Sequence, residues 1–144
     1  MDEKVNLEQK EKIPKALILT VGAQGEQIIF SIKNLSPQYV GFLATNTLDS
    51  KNTVDKIVKE CNIPAPNFRL LLCEDNPSEI GKIISNFREI YKWLTEEEGI
   101  SSDEILVDPT GGRKWMSSGI TMIASFLGLK MIYVDVSYFM ILAE

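Results

Sequence analysis

The sequence predicts an α/β domain with a doubly wound, mainly parallel sheet of five or six strands and helices on both faces. Two observations lead to this fold class. Short aliphatic runs, each the length of a strand, alternate with segments whose apolar residues have helical spacing. Strand and helix follow each other four times before a final strand, which is the order of a Rossmann-like sheet. A chain of 144 residues is long enough to bury the core of one such domain.

The strands are predicted at five short runs rich in aliphatic residues, which suits strands buried in a parallel sheet. These runs are residues 16–21, 39–44, 68–73, 105–107 and 131–136. Residues 1–14 are highly charged and end at a proline, so we expect a leader or a frayed helix that carries no site. Residues 15–144 then form the domain.

Four helices are predicted between the strands. In the first two, apolar residues share one stripe: Ile28, Ile32 and Leu35, then Val54, Ile57, Val58 and Cys61. The third has a clear start, with Asn76 as N-cap, Pro77 at the first helical position and Glu79 completing a capping-box pattern. The fourth runs from about residue 113 to 127, and Gly128 ends it.

Composition excludes several classes of function. The chain has no histidine, which removes Ser-His and Cys-His catalysis and ordinary zinc hydrolase sites, and no metal or cofactor is expected. The net charge of −5 argues against broad binding to DNA or long RNA. Cys61 and Cys73 have no CxxC spacing and are expected to be reduced thiols. No apolar run has the length of a membrane span and no signal peptide is evident, so a cytoplasmic protein is expected.

The strongest candidate site is the junction between the fourth strand and the fourth helix. Ligands of doubly wound sheets bind beyond the carboxyl ends of the strands. Here a hydroxyl, two glycine amides and two cations stand at the start of a helix, a combination that can hold a phosphate. The spacing is not that of a Walker loop, and the alternative is a plain turn with solvated basic residues. The candidate residues are Thr110, Gly111, Gly112, Arg113 and Lys114.

The ends of the other strands supply further candidates. The first is followed by a glycine turn that would let a ligand approach the backbone, although the spacing is not that of a dinucleotide fingerprint. The second is followed by small polar side chains, which either bind a base or ribose or serve as turn and cap. The third is followed by an acidic residue that could accept from an adenine amino group or a ribose hydroxyl. These candidates are Gly22, Ala23, Gln24, Thr45, Asn46 and Glu74.

The fourth helix is apolar on more than one face. Such a helix is either deeply buried or shared with a partner, and both possibilities stay open. Three small residues, Ser117, Ser118 and Gly119, would permit a close approach.

The junction resembles a known motif. Asp108-x-Thr110-x-x-x-Lys114 is similar to the second motif of the CRISPR-associated Rossmann-fold (CARF) sensor domains of type III CRISPR systems. Residues 19–22 resemble the first motif of that family, and residues 133–135 resemble a later strand. The resemblance covers about residues 15–137. One departure is Arg113, since threonine is common there.

The resemblance implies a homodimer in which two copies of the glycine-rich loop face one groove and bind cyclic oligoadenylate, a second messenger of antiviral defence. Cyclic tetra-adenylate is the preferred ring, because its two-fold symmetry matches an isologous dimer. By carry-over, the loop from Thr110 to Lys114 would bind the ring, with residues 22–24 below it. Thr45, Asn46 and Glu74 are added by position alone.

Family members join this sensor to an effector, often a ribonuclease that needs histidine. We therefore expect a sensor domain cut from a longer protein, whose other part is a nuclease, a deaminase or a membrane segment. Two alternatives to the sensor remain. In the first, the domain is a ring nuclease that cuts the ring through attack by a ribose 2′-hydroxyl, with Thr110, Arg113 and Lys114 stabilising the transition state. In the second, it is an ordinary mononucleotide or dinucleotide domain, although no acidic residue directly follows the second strand, as NAD binding normally requires.

Overall fold

A computed structural model describes residues 14–134 and the backbone of residues 139–143. The predicted leader, apart from Pro14, lies outside the described residues, and so does Asp135 of the motif resemblance.

The described residues contain six strands, which form one sheet. They are β1 (Ala16–Val21), β2 (Tyr39–Thr45), β3 (Phe68–Cys73), β4 (Ile105–Asp108), β5 (Lys130–Val134) and β6 (Phe139–Ala143). Their order in the sheet is β3-β2-β1-β4-β5-β6; the first five are parallel, and β6 is antiparallel to β5. The predicted doubly wound, mainly parallel sheet is confirmed.

The four helices are α1 (Glu26–Leu35), α2 (Leu48–Glu60), α3 (Ile80–Lys92) and α4 (Lys114–Phe126). Asn76 is a cap, as predicted, because its Oδ1 accepts from the Ser78 N–H at 3.0 Å. The turn that it caps is a 3-10 turn, Pro77–Glu79, which leads into α3. Gly128, with φ +70°, follows the end of α4, as predicted.

Two hydrophobic clusters pack against the two faces of the sheet. On one face, α1 and α2 cover residues such as Leu17 and Leu19 of β1. On the other face, α3 and α4 cover the neighbouring Ala16 and Ile18. Because successive strand residues point to opposite faces, a run of consecutive aliphatic residues is what a sheet covered on both sides requires.

The strand order fixes where a ligand site should lie. From β1 the chain moves outward through β2 to β3, then returns to place β4 on the other side of β1. The carboxyl ends of β1 and β4 therefore meet at the point where strand order reverses. In the register of this pair, Leu19 lies opposite Asp108, so the loop that follows β4 passes the last residues of β1.

Candidate ligand-binding site at the switch point

The loop after β4 packs backbone to backbone against β1. A Cβ atom at Gly111 would lie 2.5 Å from the Thr20 carbonyl oxygen, and a Cβ at Gly22 would lie 3.1 Å from the Gly112 Cα. Gly112 also has φ +82°, a conformation that residues with side chains rarely adopt. Glycine is therefore required by the close approach of the two loops.

Two carbonyl groups of the loop accept hydrogen bonds from side chains elsewhere in the protein. The Gly111 carbonyl accepts from the hydroxyl of the fully buried Thr20. The Ser117 hydroxyl of α4 donates to the Pro109 carbonyl at 2.6 Å and also lies 3.3 Å from the Gly111 carbonyl oxygen. By contrast, no acceptor among the described residues pairs with the N–H groups of Gly111, Gly112 and Arg113. The loop thus has the polarity of an anion site, with bonded carbonyls and available amides.

Asp108 and Thr110 hold the start of the loop. Asp108 is 1% exposed, and its Oδ1 accepts from the Thr110 N–H at 2.9 Å. Burial raises the pKa of Asp108, and the hydrogen bonds from Thr110 oppose that rise. The Thr110 hydroxyl accepts from the Val134 N–H of β5 at 3.0 Å. This hydroxyl therefore joins two strand ends, and its predicted contact with a ligand stays a prediction.

The two predicted cations differ in their surroundings. Arg113 forms a bidentate ion pair with Asp75, the residue that follows Glu74 after β3: Nε lies 3.2 Å from Oδ1 and Nη2 lies 2.9 Å from Oδ2. Asp75 raises the pKa of Arg113. Lys114, the first residue of α4, is exposed, and no carboxylate of the described residues pairs with it. It is available to an anionic ligand.

A cleft of about 170 Å³ opens beside the loop at the carboxyl ends of β1, β2 and β4. Its walls carry hydroxyls, one carboxylate and one guanidinium. Pockets for whole drug-sized ligands start at about 300 Å³, so this cleft suits one part of a larger ligand. The lining residues are Val21, Gly22, Ala23, Thr45, Thr47, Asp49, Ser50, Gly112, Arg113 and Met116.

The cleft brings together five of the predicted residues: Gly22, Ala23, Thr45, Gly112 and Arg113. Thr45 is buried, and its hydroxyl lies 2.8 Å from that of Ser50, so it also supports the start of α2. Three other predicted residues, Gln24, Asn46 and Glu74, are exposed and do not line the cleft.

Sequence reasoning missed Asp49 and Asp75. Asp49 is in the first turn of α2, directly beyond the Thr47 cap that accepts from the Ser50 N–H at 3.3 Å, so the cap pattern was a usable signal. Asp75 follows Glu74, and nothing in the sequence distinguishes these two neighbours.

Helix α4 has one buried and one exposed apolar face. Met116, Ile120 and Ala124 are fully buried, whereas Met122 and Phe126 are 58% and 84% exposed. Burial alone therefore does not account for the apolar character of the helix. The close approach expected of the small residues occurs within the domain. A Cβ at Gly119 would lie 3.1 Å from side-chain atoms of Ile80 and Ile83, which are in the first turn of α3.

The described residues contain no group of three or more His, Cys, Asp or Glu side chains that could hold a metal ion. Among the helices of residues 14–134, none is long and apolar enough to cross a membrane.

Fold and loop geometry define the class of the protein: a doubly wound α/β domain with a glycine-rich loop at its switch point. No protein-family model and no curated protein sequence matches the chain.

Several solved structures are similar to the chain in fold. Can2 from Sulfobacillus thermosulfidooxidans, in complex with cyclic tetra-adenylate, is similar with a TM-score of 0.65 and 16% identity. Csm6 from Enterococcus italicus, bound to cyclic hexa-2′-fluoro-hexa-dAMP, has a TM-score of 0.66 and 11% identity. Protein VC1899 from Vibrio cholerae has a TM-score of 0.63 and 11% identity.

These alignments cover 85%, 86% and 83% of this chain but only 31%, 34% and 30% of the three neighbours. The chain thus spans about a third of their length. At such low identity the likeness establishes the fold. It is the fold that the CARF resemblance implied, and that expectation is confirmed.

Proposed function

We propose that this chain is a CARF-type sensor domain that binds a cyclic oligoadenylate and switches an attached effector in type III CRISPR antiviral defence. One observation carries the proposal: within residues 14–134, the loop at the switch point has bonded carbonyls, available amides and a Lys114 that no carboxylate pairs with. Two neighbours with this fold are bound to a cyclic tetra-adenylate and to a cyclic hexanucleotide analogue, which supports this class of ligand. Phosphates of the ring would lie against the loop, where amides and cation act together.

The cleft would receive one nucleoside portion of the ring. Its volume of about 170 Å³ is too small for a cyclic tetranucleotide, but it has the donors and acceptors that a base or ribose needs. The Asp49 carboxylate can accept a hydrogen bond from an adenine amino group or a ribose hydroxyl. The Thr47 hydroxyl can donate or accept one. In this proposal Asp49 is the acidic acceptor for the nucleoside, the role that the sequence analysis assigned to Glu74.

The ring would lie across two copies of the chain. Met122 and Phe126 form an exposed apolar stripe on α4, the helix that starts at the loop. Pairing the stripes of two copies would bury both side chains and bring two loops to one groove. An isologous dimer of this kind presents two-fold symmetry to the ligand, and cyclic tetra-adenylate, the ring bound by one neighbour, has that symmetry.

Attached parts of the protein are proposed on the same basis. Since the neighbours are about three times longer than their matched region, residues 15–144 would be the sensor of a longer protein whose other part is the effector. Ring binding would alter the relative orientation of the two α4 helices and so reach that effector.

A competition experiment tests the proposal. A fluorescent cyclic tetra-adenylate is bound by the protein and then displaced with unlabelled cyclic tetra-adenylate, linear tetra-adenylate, ATP or NAD. We expect the cyclic ring to displace the probe at the lowest concentration. Displacement by ATP or NAD at lower concentration than the ring would instead identify an ordinary nucleotide domain. Chromatography of the ring after long incubation tests for cleavage, and linear products would support the ring-nuclease alternative.

A further inference from the structure

The ion pair between Asp75 and Arg113 joins loops that are distant in the sheet. Asp75 follows β3, Arg113 follows β4, and the ends of β2 and β1 lie between these two strands. Arg113 also lines the cleft. Arg113 therefore borders the cleft, and its guanidinium is bound to the Asp75 carboxylate of the loop after β3.

Stability of the fold does not explain this pair. The side chains of Arg113 and Asp75 are 65% and 29% exposed, and ion pairs this open to solvent contribute little to the free energy of unfolding. The geometry of the pair is nevertheless specific, because both carboxylate oxygens are engaged by the planar guanidinium.

The guanidinium retains binding capacity while it is held. It carries five N–H donors, of which the two contacts to Asp75 use two. The remaining donors belong to a side chain that is already ordered. A long side chain that is already ordered loses no conformational freedom when a ligand binds. Because this entropic cost is absent, the affinity for the ligand is higher.

We propose that Asp75 is a positioning residue for phosphate recognition: it fixes the guanidinium of Arg113 in front of the cleft, ready for a phosphate of the ring. The inference rests on the proposed function. It concerns a feature particular to this chain, since position 113 departs from the threonine common in the motif. Asp75 acts through Arg113 and does not itself contact the ligand.

The proposal differs from simple electrostatics in the sign of its effect. Asp75 is an anion near a site for anions, so removal of its charge alone would tighten binding of the ring. Loss of positioning would weaken it. The isosteric Asp75→Asn variant therefore separates the two, and Glu60→Gln at the opposite end of α2 removes the same charge far from the site.

The test is a calorimetric titration of cyclic tetra-adenylate into the unchanged protein and its variants. We expect Asp75→Asn to weaken binding about three- to tenfold, the cost of ordering one long side chain, and Asp75→Glu to recover part of the loss. In an Arg113→Ala background, Asp75→Asn should not weaken ring binding further. If Asp75 only supported the structure of its loop, Asp75→Asn would weaken binding in that background too. Glu60→Gln should bind as the parent does.

The outcomes separate the two proposals. Unchanged or tighter binding by Asp75→Asn, or equal weakening with and without Arg113, would overturn the positioning role and leave the sensor function standing. If the unchanged protein binds no ring, the sensor function fails and the positioning role fails with it. Should Asp75→Asn not fold, as judged by circular dichroism, Asp75→Ser replaces it in the same scheme.

Discussion

The close packing of the loop on β1 makes Gly111→Ala an informative substitution. The added Cβ would lie 2.5 Å from the Thr20 carbonyl oxygen, and real Cβ atoms essentially never come closer than 3.0 Å to such an atom. The loop and β1 must therefore separate by at least 0.5 Å, the difference between these distances. Because the obstructing atom belongs to the backbone of a fully buried residue, the loop must give way, and the Thr20 hydroxyl bond to the Gly111 carbonyl weakens.

This displacement has two measurable effects. Overpacking of this kind costs about 1–3 kcal/mol of the free energy of unfolding. Displacement of the loop amides and Lys114 by a sizeable fraction of an ångström should weaken ring binding roughly 10- to 100-fold, the value of one hydrogen bond to a charged group.

The assay combines urea unfolding with calorimetric titration of cyclic tetra-adenylate. Gly81→Ala is the matched control: it lies in α3, a Cβ there meets nothing within 4 Å, and about 0.5–1 kcal/mol of stabilisation is expected. A Gly111→Ala protein that binds the ring like its parent would refute the assignment of the loop as the phosphate site.

Other expected outcomes concern charge, pH and association. Lys114→Ala should weaken ring binding roughly 10- to 100-fold, the value of a charge-assisted hydrogen bond, with unfolding unchanged; a parental titration curve would contradict its role. Burial raises the pKa of Asp108 in the folded chain, so the proton is bound more tightly there than in the unfolded chain, and stability falls as pH rises through that raised value. Asp108→Asn keeps an acceptor for the Thr110 N–H and should lack this fall in urea unfolding measured from acid to neutral pH; equal pH slopes would contradict it. Phe126→Asp should raise the dissociation constant of the proposed dimer at least tenfold in sedimentation analysis, because a large apolar side chain contributes about 1.5–3 kcal/mol when buried.

The sheet could be predicted because its strands are buried on both faces. Every side chain of residues 16–21 is buried and all but Thr20 are aliphatic, a pattern that favours a short strand between two layers of helices. Strand β6 was foreseen only as a possible sixth strand, since its pairing with β5 is antiparallel, whereas the alternation of strands and helices in the sequence predicts parallel strands.

The candidate site was predictable where it is local in sequence and not where it depends on distant contacts. Gly111 and Gly112 could be assigned to a candidate anion-binding loop because they stand between a strand and a helix, but their close packing on β1 was not foreseen. The use of the Thr110 hydroxyl depends on β5 lying beside β4, so that the Val134 N–H reaches it. Likewise, the choice of Asp75 over Glu74 depends on the path of Arg113 across two other strands. Strand order and side-chain direction decide the partner of the Thr110 hydroxyl and the partner of Arg113. The local sequence predicts neither of them.

Calorimetric stoichiometry tests the central claim most directly. Cyclic tetra-adenylate is titrated into the protein, with the molar ratio at the midpoint as the readout. We predict binding at micromolar concentration or below, with one ring for every two chains, because the proposed dimer would bring two copies of the Gly111–Lys114 loop to one two-fold site. Saturation at one ring per chain would contradict the shared groove. Absence of binding at micromolar concentration would contradict the sensor function itself.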